Sequence, residues 1–565
     1  MRSLIINLYQ GQLPRDISVS SKLANKKNIH LLNFYPQINN FYENTFSSNK
    51  FLNTKITDDC MDFHNHFIDS LSINNSSYKE LELLKKQLFS YSFYQTYGAS
   101  LLKIACIQNF LKSQQSFKRI IIFSEEGKNT LLIKILLSNL KYVEVKYIKD
   151  ITFPLLPLLN KIKNYDFLLI KTRLMSYINR VIFKNNIKFI FDNSSRIFEK
   201  IYKRTPPFST SIYRDVDYKK TEISNLKLTY NEEVFNNFDL SPLYEEIKNI
   251  VLTFFAKLPS IEEEIQLLEP KGKYFLTNSS ATPIQVAKIF FFNKFNGRVV
   301  LKFDGNLSPD SEFKKSIYKY LGGYDLSVLS LFNSSHQSKS FESNKNTPVV
   351  IGSLSLPIKY SSNLIEPLPI NRRFIVPLTA ANFYNSKPGF QKDIFDNIFY
   401  IKQLEELSRI RDIEIDFKMH PSDYSNLNLY KSIINSNKSC RVISSKLALK
   451  DYLKYSGVIS HSTTVALESF YIGCNQIIYN PFNWKSPHDH LIDYQNKKTT
   501  PLLLHCKNAS ELNDAVALSM KSGELDNALM DDLNIKYKSI MCNFSLDYEK
   551  EFNLFFKKEF GQHDS

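Results

Sequence analysis

The sequence predicts an α/β protein made of two doubly wound, Rossmann-like domains facing each other across a cleft. Short apolar or β-branched runs alternate with longer helical patterns along the chain, as parallel strands joined by helical crossovers do. About seven such runs fall in each half, enough for one sheet per half. The 565 residues also suggest two to four domains at about 150 residues each.

In chain order, the predicted strands of the first half are 4–8, 119–123, 143–147, 167–170, 187–191, 274–276 and 298–303. Those of the second half are 349–351, 374–378, 413–418, 441–444, 457–460, 476–479 and 502–504. Helical patterns lie between them, among them 394–408 and 464–471. Ser, Asn and Pro cluster between Leu331 and Asn371, a composition of loops rather than core. The expected domains are therefore residues 1–340, with 1–90 weakly patterned, and 341–530. A helical tail over 531–565 is expected to pack back on the first domain. Residues 205–239 lack periodicity and read as a long excursion.

Composition excludes several classes. Hydrophobic residues at 43% and charged residues at 23% are those of a folded chain rather than a disordered one. Six cysteines without a Cys-x-x-Cys pair exclude a disulfide framework or zinc ribbon and favour a reducing, cytoplasmic setting. The first residues lack a signal-peptide core, and no apolar run spans a bilayer. Lys and Arg number 72 against 56 Asp and Glu, a net charge of +16. Such a balance suits an anionic membrane surface, an acidic substrate or nucleic acid. The lysines are spread rather than clustered and no nucleic-acid-binding signature occurs, so no nucleic acid is expected.

Three stretches carry chemistry. In Gly457-Val-Ile-Ser-His-Ser-Thr-Thr464 a strand runs through Ser460, His461, Ser462 and Thr463 into a helix beginning near Thr464. Backbone N–H groups and the dipole at such a terminus favour a phosphate. One hydroxyl would serve as an ordinary cap, and this turn supplies four. In Lys418-Met-His420-Pro421 a strand ends on histidine held extended by the following proline, where an imidazole can neutralise leaving-group charge. In Phe303-Asp304-Gly305 a carboxylate ends what reads as the last strand of the first domain and suits a general base. Glu125-Glu126-Gly127 competes for that role, although first-turn acids also complement a helix dipole.

The order Asp304-Gly305, His420-Pro421, Ser462-Thr463 resembles that of bacterial sialyltransferases and polysialyltransferases of the GT-B architecture, and of related Kdo-type capsule transferases. It departs from them at Phe303, where an acidic residue is expected. Glu125-Glu126-Gly127 matches the acidic element better but lies far upstream of His420. The resemblance implies a GT-B-like fold and transfer of a CMP-activated acidic sugar onto a glycan or lipid-linked glycan acceptor. Asp304, or in its place Glu126, would act as the catalytic carboxylate, and His420 as the leaving-group partner. Pro421, Ser460, His461, Ser462, Thr463, Thr464 and Glu468 would join His420 in the donor site, Glu468 reaching a ribose or sugar hydroxyl. The CMP-sugar is a co-substrate and no cofactor or metal is expected. The implied setting is the cytoplasm at the inner face of the plasma membrane. Transfer of a CDP-linked alditol phosphate or another nucleotide sugar is the alternative chemistry. A non-catalytic basic protein binding polysaccharide or nucleic acid is the alternative class.

Overall fold

The computed structural model describes residues 2–8, 29–34, 44–47, 66–74, 85–114, 116–127, 129–148, 189–192, 209–212, 227–229, 239–278, 283–302, 329–332, 347–351, 372–378, 394–420, 427–434, 437–460, 464–481 and 497–521, with a few positions beyond these. It divides into two compact units. The first comprises Met1–Lys302, Ser316–Ser330 and Ser343–Thr347, the second Phe303–Lys315, Leu331–Glu342 and Pro348–Ser565.

The class is as predicted: α/β with parallel sheets. Among the described residues the large sheets number three rather than two, because the strands of the first half divide between two of them; two further pairs of short strands stand apart. The first contains β1 (Ser3–Asn7), β2 (Ile29–Asn33), β3 (Asn44–Ser47), β4 (Arg119–Glu125) and β5 (Val143–Ile148), in the order β3-β2-β1-β4-β5. Every pairing in it is parallel. The second contains β6 (Phe189–Asp192), β7 (Ser209–Ile212), β8 (Tyr274–Asn278), β9 (Arg298–Lys302), β10 (Leu329–Phe332) and β11 (Thr347–Val350), in the order β11-β10-β9-β8-β6-β7. The third contains β12 (Arg373–Pro377), β13 (Glu414–Lys418), β14 (Cys440–Ile443), β15 (Gly457–Ser460), β16 (Gln476–Tyr479) and β17 (Leu503–Cys506), in the order β14-β13-β12-β15-β16-β17. It too is parallel throughout.

Helices follow the crossovers. In the first unit these are α1 (Lys85–Ser113), α2 (Thr130–Asn139), α3 (Ser241–Phe255), α4 (Leu258–Gln266) and α5 (Pro283–Lys294). In the second they are α6 (Ile394–Arg411), α7 (Leu427–Ile434), α8 (Thr464–Tyr471) and α9 (Ala509–Met520). The third sheet is covered on both faces, so its central strands are apolar runs rather than alternating ones. All four residues of β15 are buried. On one face Ile375, Val458 and Ile478 meet Tyr452, Tyr455 and Phe470, with Leu449 and Val465 beside them. That is the side of α8 and of the 3-10 turn Leu449–Lys454. On the other face, an added Cβ on Gly457 would stand 2.9 Å from Ser519 Oγ of α9.

The predicted strand at 167–170 lies outside the described residues. The excursion at 205–239 contains β7 and a second short strand, Lys227–Thr229, which pairs antiparallel with Ser72–Asn74. In the tail, helical conformation is described at a few positions between 550 and 558, with Phe555 buried. Among the described residues no helix is long and apolar enough to cross a membrane.

Candidate functional site

In a doubly wound sheet the crevice for a ligand opens at the strand C-termini where the strand order reverses. In the third sheet that point lies between β12 and β15. Residues 461–463 lie outside the described residues, but both ends of this turn are defined: β15 ends at Ser460 and α8 begins at Thr464, as predicted. Ser460 is 1% exposed and its Oγ has no hydrogen-bond partner among the described residues. Leaving a buried hydroxyl unpaired costs about 1–3 kcal/mol, so it marks a place where an incoming acceptor or donor would be stabilised. Side chains alternate along a strand, which puts Ser460 on the face of Val458, the face α8 covers.

His420 stands two residues beyond β13, after buried Met419, and is exposed. The Met419 N–H donates to Ile443 O at 2.9 Å, which holds the chain to β14 up to the histidine. The strands that lead to His420 and Ser460 are separated by β12. Both strand ends therefore flank the end of β12. Pro421 lies outside the described residues. Glu468 is half-buried in α8. Burial first, and the Glu468 carboxylate second, push the Tyr452 hydroxyl up from its ordinary value.

One residue at this edge escaped the sequence reading. Lys418, the last of β13, is 9% exposed, and its Nζ donates to Met419 O at 2.6 Å. Burial pulls its ammonium below the ordinary lysine value. Two residues back on the same face, Asp416 is taken by other partners. It accepts from Arg373 Nε at 3.1 Å, from Arg441 and from Tyr455 Oη at 2.7 Å. Burial raises its carboxyl, against the pull of Tyr455 and Arg373. The signal for Lys418 was its two-residue spacing from Asp416, which puts both on one strand face.

The first sheet has its own reversal, between β1 and β4. There Gly127 has φ 77° and Asn129, which precedes α2, has φ 56°, both left-handed. The Asn129 side chain ties the turn together: its Nδ2 donates to Ser124 Oγ at 3.0 Å and to Leu8 O at 3.4 Å, while Lys103 Nζ of α1 donates to its Oδ1 at 3.0 Å. Glu125 is buried at the end of β4 and Glu126, just beyond, is exposed. Asp304 lies outside the described residues. The strand leading toward it, β9, is not the last of its sheet, since β10 and β11 follow. Among the described residues no group of His, Cys, Asp and Glu could hold a metal ion.

No protein-family model matches the chain, and no match was found among the curated proteins. Solved structures resemble it at low identity. A UDP co-structure of MnaA from S. aureus has a TM-score of 0.39 at 13% identity, covering 67% of this chain and 98% of that one. The UDP-GlcNAc 2-epimerase of Methanocaldococcus jannaschii has a TM-score of 0.34 at 13% identity, covering 64% and 94%. The calicheamicin glycosyltransferase CalG4 has a TM-score of 0.37 at 9% identity, covering 68% and 95%.

Proposed function

We propose that this chain is a GT-B-type glycosyltransferase that moves a CMP-activated acidic sugar, of sialic-acid or Kdo type, onto a glycan acceptor in bacterial surface polysaccharide synthesis. It would act in the cytoplasm at the inner face of the plasma membrane. The observation that carries the reading is the unpartnered, buried Ser460 hydroxyl at the reversal point of the third sheet, between a strand end and the N-terminus of α8. His420 on the other side of β12 supports it, and the order of the short motifs favours CMP.

In this mechanism the turn 460–464 and the first N–H groups of α8 hold the donor phosphate. His420 donates to the same phosphate and offsets its charge as the glycosidic bond to the sugar breaks. CMP leaves as a phosphate monoester, so these groups serve without a metal. Asp304 takes the proton of the acceptor hydroxyl or attacks the anomeric carbon, and Glu126 is the competing carboxylate. Asp304→Asn and Glu126→Gln separate the two: loss of transfer with retained nucleotide affinity identifies the acting group.

A thermal-shift panel of CMP, CDP, UDP and GDP tests the donor class. A CMP-selective rise is expected, a CDP-selective rise would reassign the donor to a CDP-linked alditol, and no response to any would overturn the reading. His420→Ala should cut transfer by about 10²-fold or more with folding retained. An unchanged kcat would remove His420 from the reaction.

A further inference from the structure

The register of the third sheet aligns Lys418 with Ser460. Lys418 pairs with Pro377, and the β12–β15 register, Ile375↔Val458, continued two residues on, sets Ser460 beside Pro377 as well. Residues in register share a face, so Lys418 and Ser460 stand on the same side of the sheet, one on each side of the β12 end. Strands lie about 4.8 Å apart, which separates the two Cα atoms by about 10 Å, within reach of an extended lysine. The strand between them offers no free donor: Pro377 has no N–H, and the Leu378 N–H is engaged with Lys418 O at 2.8 Å.

Neither side chain has the partner its burial calls for. The Lys418 ammonium is bonded to one backbone carbonyl, with no carboxylate in ion-pair range among the described residues. Ser460 Oγ has no partner among the described residues. Buried charges are ordinarily paired, and an anion held between the two positions would complete both the ammonium and the hydroxyl.

We infer that Lys418 and Ser460 form a phosphate subsite across the end of β12, in which the Lys418 ammonium exchanges the Met419 carbonyl for a phosphate oxygen of the donor nucleotide. This rests on the reading of the third sheet as the donor site and adds a second cation to His420.

The test is titration of the full chain with CMP, with cytidine as the phosphate-free probe and inorganic pyrophosphate as the nucleoside-free one. Lys418→Met should weaken CMP about tenfold or more (a charge-assisted bond,), leave cytidine affinity as it is, and abolish thermal stabilisation by pyrophosphate. Lys418→Arg should keep CMP binding within about threefold, and Ser460→Ala should give a smaller loss than Lys418→Met. CMP binding equal to wild type in a folded Lys418→Met protein would overturn the subsite. So would a Lys418→Arg protein as weak as Lys418→Met, since the position would then serve only the Met419 clamp. If wild type binds no nucleotide yet pyrophosphate stabilises it and not Lys418→Met, the anion subsite stands and the transferase reading falls. If pyrophosphate fails on wild type as well, both fall.

Discussion

Lys103 shows what a single buried amine does to a fold. It is 1% exposed inside α1, and burial lowers its ammonium from 10.5 to about 7. Below that value the folded and unfolded chains both carry the proton, and the folded state bears the full cost of burying charge. Above it the folded chain sheds the proton while the unfolded chain keeps it up to 10.5. Stability gained from this group therefore rises with pH across that window, by at most about 1.4 kcal/mol per unit. Lys103→Met should flatten the rise, as urea unfolding at pH 7, 8 and 9 would read out. Equal slopes in the two proteins would show that the amine is solvated or charge-compensated. Lys103 does not stand out in a chain with 72 basic residues. A lysine becomes informative only when the fold closes over it, which composition does not reveal. Ser460 and His420 were legible because local chemistry marks them: a strand end running into hydroxyls, and a histidine before proline.

The element that sets the geometry of the candidate donor edge is the β15–α8 unit, and Asn475 anchors it from the opposite end of the sheet. Its Nδ2 donates to Ser456 O at 2.9 Å and to Ser519 Oγ at 3.2 Å, and its Oδ1 accepts from the Leu502 N–H at 2.9 Å. One fully buried amide thus joins the starts of β15 and β17 to α9. Asn475→Ala orphans the Leu502 N–H and should cost about 2–3 kcal/mol in urea unfolding. A loss under about half a kcal/mol would mean that water replaces the amide. Gly457→Val should cost about 1–3 kcal/mol, because its side chain meets Ser519 Oγ and the Phe374 ring at 3.3 Å. The two changes share Ser519, so a double variant should lose less than the sum. Strands such as β12, β15 and β16 were legible because burial on both faces makes them unbroken apolar runs. β2, β3, β7 and β10 were not. Ile29–Asn33 places His30 within a buried strand, and Ser209–Ile212 reads Ser-Thr-Ser-Ile; such polar interruptions hide the period from single-sequence reading.

At the scale of the molecule, two compact units should melt as more than one cooperative transition. A ligand stabilises only the species it binds, so CMP or pyrophosphate should raise the transition of the unit holding the third sheet and leave another where it was. A single calorimetric peak that moves as a whole would show the units to be thermodynamically one. Counting strands could not show that the first half carries two sheets, because membership in a parallel sheet depends on long-range pairing rather than local pattern. The same topology bears on how the chain is made. In the first and third sheets the strand synthesised first, β1 or β12, ends at the interior, between a partner soon to follow and one much later. β1 emerges with its residue Ser3 destined to lie beside Arg119. At roughly 5–20 residues per second it waits on the order of ten seconds for that neighbour. During synthesis each such sheet grows first on one side, and the apolar strand that will become its centre spends that interval as an exposed edge. Slower translation would lengthen that exposure, so the nascent chain, more than the finished protein, would need a chaperone.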